Sequence, residues 1–79
     1  MITDDPERIT LYDLNGPAAF GLCRAVEFSR LRWGYPLPSI VREHWLTIPA
    51  VRAQYPNPET ITAAHVQRLL TLAQAAGLL

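Results

Sequence analysis

Apolar and polar residues recur with helical spacing along most of this chain. No proline interrupts the stretch from Ala18 to Trp33, and its apolar residues occupy most of the helix circumference. This pattern predicts a central helix in the segment 17–34, with Gly34 as its C-terminal stop. A second stretch near the C-terminus has a single apolar stripe, which predicts an amphipathic helix in the segment 58–77. The members of that stripe are Val66, Leu69, Leu70, Ala73 and Ala76.

Prolines divide the middle of the chain. The run Tyr35-Pro36-Leu37-Pro38 must be extended, because each proline excludes the residue before it from helical geometry. Ser39 then favours the start of a helix, and Pro49 breaks or kinks that helix, so the sequence predicts a kinked helix over 39–54.

The N-terminal segment 1–16 is acidic and open to two interpretations. Asp5-Pro6-Glu7 is typical of a helix start, whereas Ile9 to Tyr12 favours a short strand. The sequence therefore predicts either a helix or a strand for residues 7–14. The predicted fold is a mainly α, single-domain bundle of three to four short helices over 1–79, with room for a short N-terminal strand.

Size and composition favour association. A chain of 79 residues buries only about 60% of its surface on folding, which is enough for one thin core. Hydrophobic residues make up 49% and charged residues 18% of the chain, so apolar surface remains to be covered. Because pairing hides such surface, we expect a homo-oligomer, most simply a dimer.

The sequence offers little for catalysis or metal binding. Cys23, His44 and His65 are evenly spaced but never locally paired, unlike the ligands of most structural zinc sites. No phosphate-binding loop, dinucleotide-binding glycine pattern or nucleophile elbow is present. We therefore expect no catalytic residues, no metal, no cofactor and no enzyme activity.

The side-chain types that dominate protein interfaces are well represented. All seven basic residues are arginine, and arginines lie close in sequence to tryptophan and tyrosine near the predicted helix ends. Each tryptophan is either a core anchor or an interface residue. The predicted partner-binding residues are Arg30, Arg32, Trp33, Tyr35, Arg42, Trp45, Leu70 and Leu78. They favour a protein-binding adaptor, inhibitor or assembly factor, and the lysine-free composition suits a bacterial or phage accessory protein.

A small DNA-binding regulator of the helix-turn-helix type is the alternative. Residues 17–79 hold six Arg against three Glu, whereas residues 1–16 hold four acids against one Arg. The whole chain is neutral with a pI of about 6.7, which disfavours nucleic acid as the partner. The polar N-terminus, the absence of a long apolar run and the single cysteine predict a cytoplasmic protein without membrane contact.

Overall fold

The computed structural model describes residues 16–79, and this part of the chain is helical without strands. Its α-helices are α1 (Pro17–Trp33), α2 (Pro38–Trp45), α3 (Pro49–Gln54) and α4 (Ala63–Ala75), with a single 3-10 turn at Pro58–Thr60. The predicted mainly α class is thus confirmed. The predicted strand or helix at 7–14 lies outside the described residues.

Proline and glycine set the ends of α1. Pro17 occupies the first turn, where its missing N–H removes no intrahelical hydrogen bond. Gly34 follows the helix with φ 82°, a left-handed conformation that glycine adopts without steric cost. Its N–H donates to the carbonyl oxygen of Arg30 at 2.8 Å. The helix therefore ends where the sequence predicts.

The predicted kinked helix 39–54 is instead two separate helices. Pro49 begins α3, and the preceding Ile48 is extended, with φ −75° and ψ 124°. A residue before proline is disfavoured in helical geometry, so α2 cannot continue into α3. For the same reason Leu37, which precedes Pro38, is extended. The helix α2 therefore begins at Pro38, one residue before the predicted start at 39. The segment 58–77 is likewise divided into the 3-10 turn and α4.

The core lies where α1 packs against α2 and α3, and where α4 packs against α2. Trp45 is its largest fully buried side chain. The indole N–H donates to the carbonyl oxygen of Ala18 at 3.1 Å, and the ring lies 5.3 Å from that of Tyr55. The remaining buried apolar residues are Ala18, Leu22, Ala25, Val26, Val41, Leu46, Val51, Ile61, Val66, Leu69, Leu70 and Ala73.

Close approach of α1 to this tryptophan depends on Gly21. A Cβ atom at this position would lie 2.9 Å from Cγ2 of Val51 and 3.3 Å from Cδ1 of Trp45. The first distance is shorter than an ordinary van der Waals contact, and the side chain of valine has few rotamers with which to move away. Gly21 therefore permits the separation observed between α1 and the α2–α3 pair.

A buried serine holds the connection between α1 and α2. Ser29 is fully buried, and its hydroxyl donates to the carbonyl oxygen of Tyr35 at 2.9 Å. The hydroxyl oxygen of Ser29 in turn accepts the N–H of Leu37 at 2.9 Å. One side chain thus satisfies two backbone groups of the proline-containing connection, which cannot form helical hydrogen bonds of its own.

Replacing this serine should destabilise the fold. Ser29→Ala removes the hydroxyl from the carbonyl of Tyr35 and the N–H of Leu37, which keep only the hydrogen bond of 3.0 Å to each other. We expect a loss of about 0.5–1.5 kcal/mol in the free energy of unfolding. Urea titrations followed by circular dichroism measure this loss. The matched control is Ser39→Ala, at an exposed position in the first turn of α2. Equal stability of the two variants would contradict the role given to Ser29.

Candidate functional site

The candidate site is an open groove between the C-terminal half of α1 and α2, called here the α1–α2 groove. Its α1 wall and its α2 wall both carry apolar, aromatic and charged side chains. The lining residues are Phe28, Arg32, Trp33, Ile40, Glu43, His44 and Thr47.

A stacked aromatic pair joins the two walls. The rings of Phe28 and His44 lie 4.5 Å apart between centroids and are inclined by only 9°. Phe28 projects from α1 and His44 from α2, so the stack spans the junction of the two helices. Phe28 remains 39% exposed. The pair therefore presents a partly exposed aromatic surface that the two helices hold in place together.

The α1 end of the groove carries an arginine over a tryptophan. The guanidinium carbon of Arg32 lies 5.3 Å from the ring centroid of Trp33, which is within cation–π distance. Trp33 is 42% exposed and Tyr35 is 55% exposed. Trp33 is consequently the tryptophan available to a partner, while its ring orientation is stabilised by the neighbouring cation.

Two of the predicted partner-binding residues are buried. Trp45 lies in the core between α1 and α2, and Leu70 is 3% exposed on the inner face of α4. A side chain in this position cannot contact a partner without unfolding. The apolar stripe of α4 thus serves the interior of the domain, and both residues are corrected from binding residues to core residues.

Arg42 also has a structural role. Its guanidinium donates through Nε to the carbonyl of Ile61, and a terminal nitrogen donates to the carbonyl of Pro58 at 2.8 Å. The carbonyl of Pro58 belongs to the 3-10 turn, and that of Ile61 belongs to the connection between this turn and α4. Arg42 therefore fixes this part of the chain to α2 through two of its nitrogen atoms.

The other predicted partner-binding residues are exposed, but they lie on two different surfaces of the domain. Arg30 and Leu78 lie on the opposite side of α1 from the groove, around a hollow that also includes Cys23, Leu31 and Leu79. Arg32 and Trp33 lie in the α1–α2 groove, and Tyr35 follows just beyond α1. Proximity in sequence thus brings only part of the predicted group together.

Sequence reasoning missed one groove residue from the C-terminal half of α1 and two from α2. Phe28, Ile40 and His44 were not predicted to bind a partner, yet all three line the groove. The helical pattern of 39–45 contained part of this signal, because Ile40 and His44 are four residues apart and share a face with Glu43 and Thr47. Their proximity to Phe28 depends on the packing of two helices, which no local pattern specifies.

The three residues considered for metal or nucleophilic chemistry do not converge. The thiol of Cys23 lies 3.7 Å from the carbonyl oxygen of Leu78, and His44 stacks on Phe28. His65 is fully buried and accepts the N–H of Thr62 through Nδ1 at 3.1 Å. Over residues 16–79, no cluster of three potential metal ligands is present. In the same range, no helix is long and apolar enough to cross a membrane.

Comparisons with known proteins identify no relative. The chain matches no family model, no curated protein and no solved structure.

The structural role of Arg42 can be tested by its removal. Arg42→Met keeps the aliphatic part of the side chain but leaves the carbonyls of Pro58 and Ile61 without their charged donor. We expect a loss of about 1.5–3 kcal/mol in the free energy of unfolding, as for other hydrogen bonds to charged groups. Arg52→Met is the matched control, since Arg52 is exposed on α3. Unchanged stability of the Arg42 variant, with loss of binding to a partner, would restore Arg42 to the interface.

Proposed function

We propose that this protein is a protein-binding module whose α1–α2 groove receives an apolar side chain of a partner protein. The observation that carries the proposal is the exposed Trp33 beside the Phe28–His44 stack, within one groove. An adaptor, an inhibitor or an assembly factor would act in this way. A bacterial or phage accessory protein remains the proposed context.

The composition of the groove supports a protein partner. Tryptophan and arginine are enriched among the side chains that contribute most to protein binding, and such side chains surround well-packed apolar pockets. Arg32 and Glu43 add one charge of each sign to the rim. A partner segment can therefore insert an aromatic or aliphatic side chain and also pair with both rim charges, which would fix its direction.

Catalysis is not part of the proposal. The groove contains one hydroxyl side chain, that of Thr47, and it donates to the backbone carbonyl oxygen of His44 at 2.6 Å. A general base activates a hydroxyl nucleophile through a hydrogen bond, and this hydroxyl bonds to the backbone of His44 rather than to its imidazole. The arrangement therefore supports contact with a partner more than chemistry.

DNA binding is the second candidate, favoured by the positive balance of residues 17–79. The short connection between α2 and α3 also has the length of the turn in a helix-turn-helix motif. However, α3 has only six residues, and a helix of that length presents about two turns to a groove. Of its side chains, Arg52 and Gln54 are the polar candidates for reading bases. The aromatic α1–α2 groove supports the protein partner more directly.

The compartment is proposed to be the cytoplasm. Cys23 is a free thiol, and free cysteines are typical of proteins kept in a reducing environment.

The groove can be tested with peptides selected from a random displayed library against the folded chain. We expect selected peptides to share an aromatic or aliphatic anchor. Trp33→Ala should weaken their binding by about thirtyfold or more, since loss of an interface anchor costs about 2 kcal/mol or more. Fluorescence anisotropy of labelled peptides measures the affinity, and circular dichroism verifies that each variant is folded.

Two arginine variants with the same change of charge distinguish protein binding from DNA binding. Arg32 lies in the groove and Arg52 on α3. If the groove binds proteins, Arg32→Ala should weaken peptide binding and Arg52→Ala should not. If the chain binds DNA, both variants should weaken duplex binding, and the affinity of the parent should fall steeply with salt. If the peptides bind the Trp33→Ala variant as tightly as the parent chain, the α1–α2 groove is excluded as their binding site.

A further inference from the structure

The side of α1 that faces away from the core carries a row of exposed side chains with a symmetric chemical pattern. The row, called here the outward row, is Phe20, Arg24, Glu27 and Leu31, spaced by four, three and four residues. This spacing places all four on one helix face. Phe20 is 64% and Leu31 is 83% exposed, and both charged residues are exposed. Apolar residues thus occupy the two ends of the row, and opposite charges occupy its middle.

We infer that the outward row binds the outward row of a second copy of this chain, with the two α1 helices antiparallel. The midpoint of the row lies level with the peptide bond between Ala25 and Val26. A two-fold axis at this level pairs Phe20 with the second copy's Leu31 and Arg24 with the second copy's Glu27. Each contact then occurs twice, as a two-fold interface requires.

Charge complementarity selects this arrangement. In the antiparallel register each guanidinium meets a carboxylate, and each apolar end meets an apolar end. A parallel pair in register would place Arg24 against Arg24 and Glu27 against Glu27, which is repulsive at both positions. The spacing of four and three residues is also that of the contact positions in helix pairs, where side chains from two helices interdigitate.

The surroundings of the row leave the site open to a second helix. Leu78, which is 45% exposed, borders a shallow hollow on one side of α1. Phe28 and His44 border another hollow on the other side. A helix lying along α1 would therefore cover apolar surface on both flanks. The four residues of the outward row are distinct from those of the α1–α2 groove, and the two surfaces adjoin at Phe28 and His44.

The size of the row predicts a weak dimer. From Phe20 to Leu31 the row is about 17 Å long, from the rise of about 1.5 Å per residue. A contact of this length lies at the lower end of specific interfaces, which bury more than about 1,000 Å² in total. We expect dissociation constants of tens to hundreds of micromolar, so that the oligomeric state varies with concentration.

Charge exchange across the interface tests the register. Sedimentation equilibrium of the full chain, from about 10 to 500 µM, should show a monomer–dimer equilibrium. Arg24→Glu or Glu27→Arg alone should raise the dissociation constant about tenfold or more, because each creates like-charge contacts twice. The double variant Arg24→Glu/Glu27→Arg restores opposite charges at both contacts, and its dissociation constant should return to within about threefold of the parent value.

Controls make each outcome decisive. Arg52→Glu changes the net charge as Arg24→Glu does but lies on α3, and it should leave the dimer unaffected. Circular dichroism melts should show that these variants at exposed positions remain folded. A parent chain that is monomeric throughout the concentration range overturns the inference. Dimers that resist both single exchanges, or that the double variant fails to restore, overturn it as well, because another surface or register would then be responsible.

Discussion

Packing of the described helices depends on the insertion of the Trp45 indole between α1 and the α2–α3 pair. The indole N–H bonds to a carbonyl of α1, so the one polar atom of the ring is satisfied within the core. The absence of a side chain at Gly21 lets α1 approach the ring. In so small a domain a single large aromatic side chain supplies contacts that several aliphatic residues supply in larger cores. Correct positioning of one side chain therefore determines the relative placement of three helices.

Polar side chains tie the connections between helices to this core. Ser29 bonds to the connection after α1, and Arg42 bonds to the connection before α4. His65 accepts the N–H of Thr62 at the start of α4, in the position that a glutamate occupies in a capping box. Each of these groups satisfies backbone atoms that proline or a turn leaves without a helical partner. The short helices are thus held by specific hydrogen bonds as well as by apolar burial.

Local features of the fold could be predicted from the sequence, because local chemistry determines them. Gly34 ends α1 through its own left-handed conformation, and the periodicity of residues 66–73 identifies the apolar face of α4. The distribution of roles between Trp33 and Trp45 could not be predicted, since both are tryptophans near a helix end. Their burial depends on which helix lies opposite, and that is a property of tertiary packing.

The candidate site, like the fold, could be predicted from the sequence only where local residue type determines it. Arginine and tryptophan at the end of α1 could be identified from residue type. The Phe28–His44 stack could not, because its members are sixteen positions apart and meet only where two helices cross. Similarly, the periodicity that identified Leu70 described its helix face correctly but did not say whether that face was internal or external. Burial in the structure places it inside.

The separation of the two indoles gives this protein two independent optical reporters. Trp45 lies in an apolar interior next to an aromatic ring, so its emission should be blue-shifted and should change when the chain unfolds. Trp33 lies at the surface beneath a guanidinium, and its emission should respond to quenchers in the solvent and to any molecule that covers it. Selective quenching by iodide or acrylamide can therefore distinguish occupancy of the groove from loss of the fold in a single sample without any label.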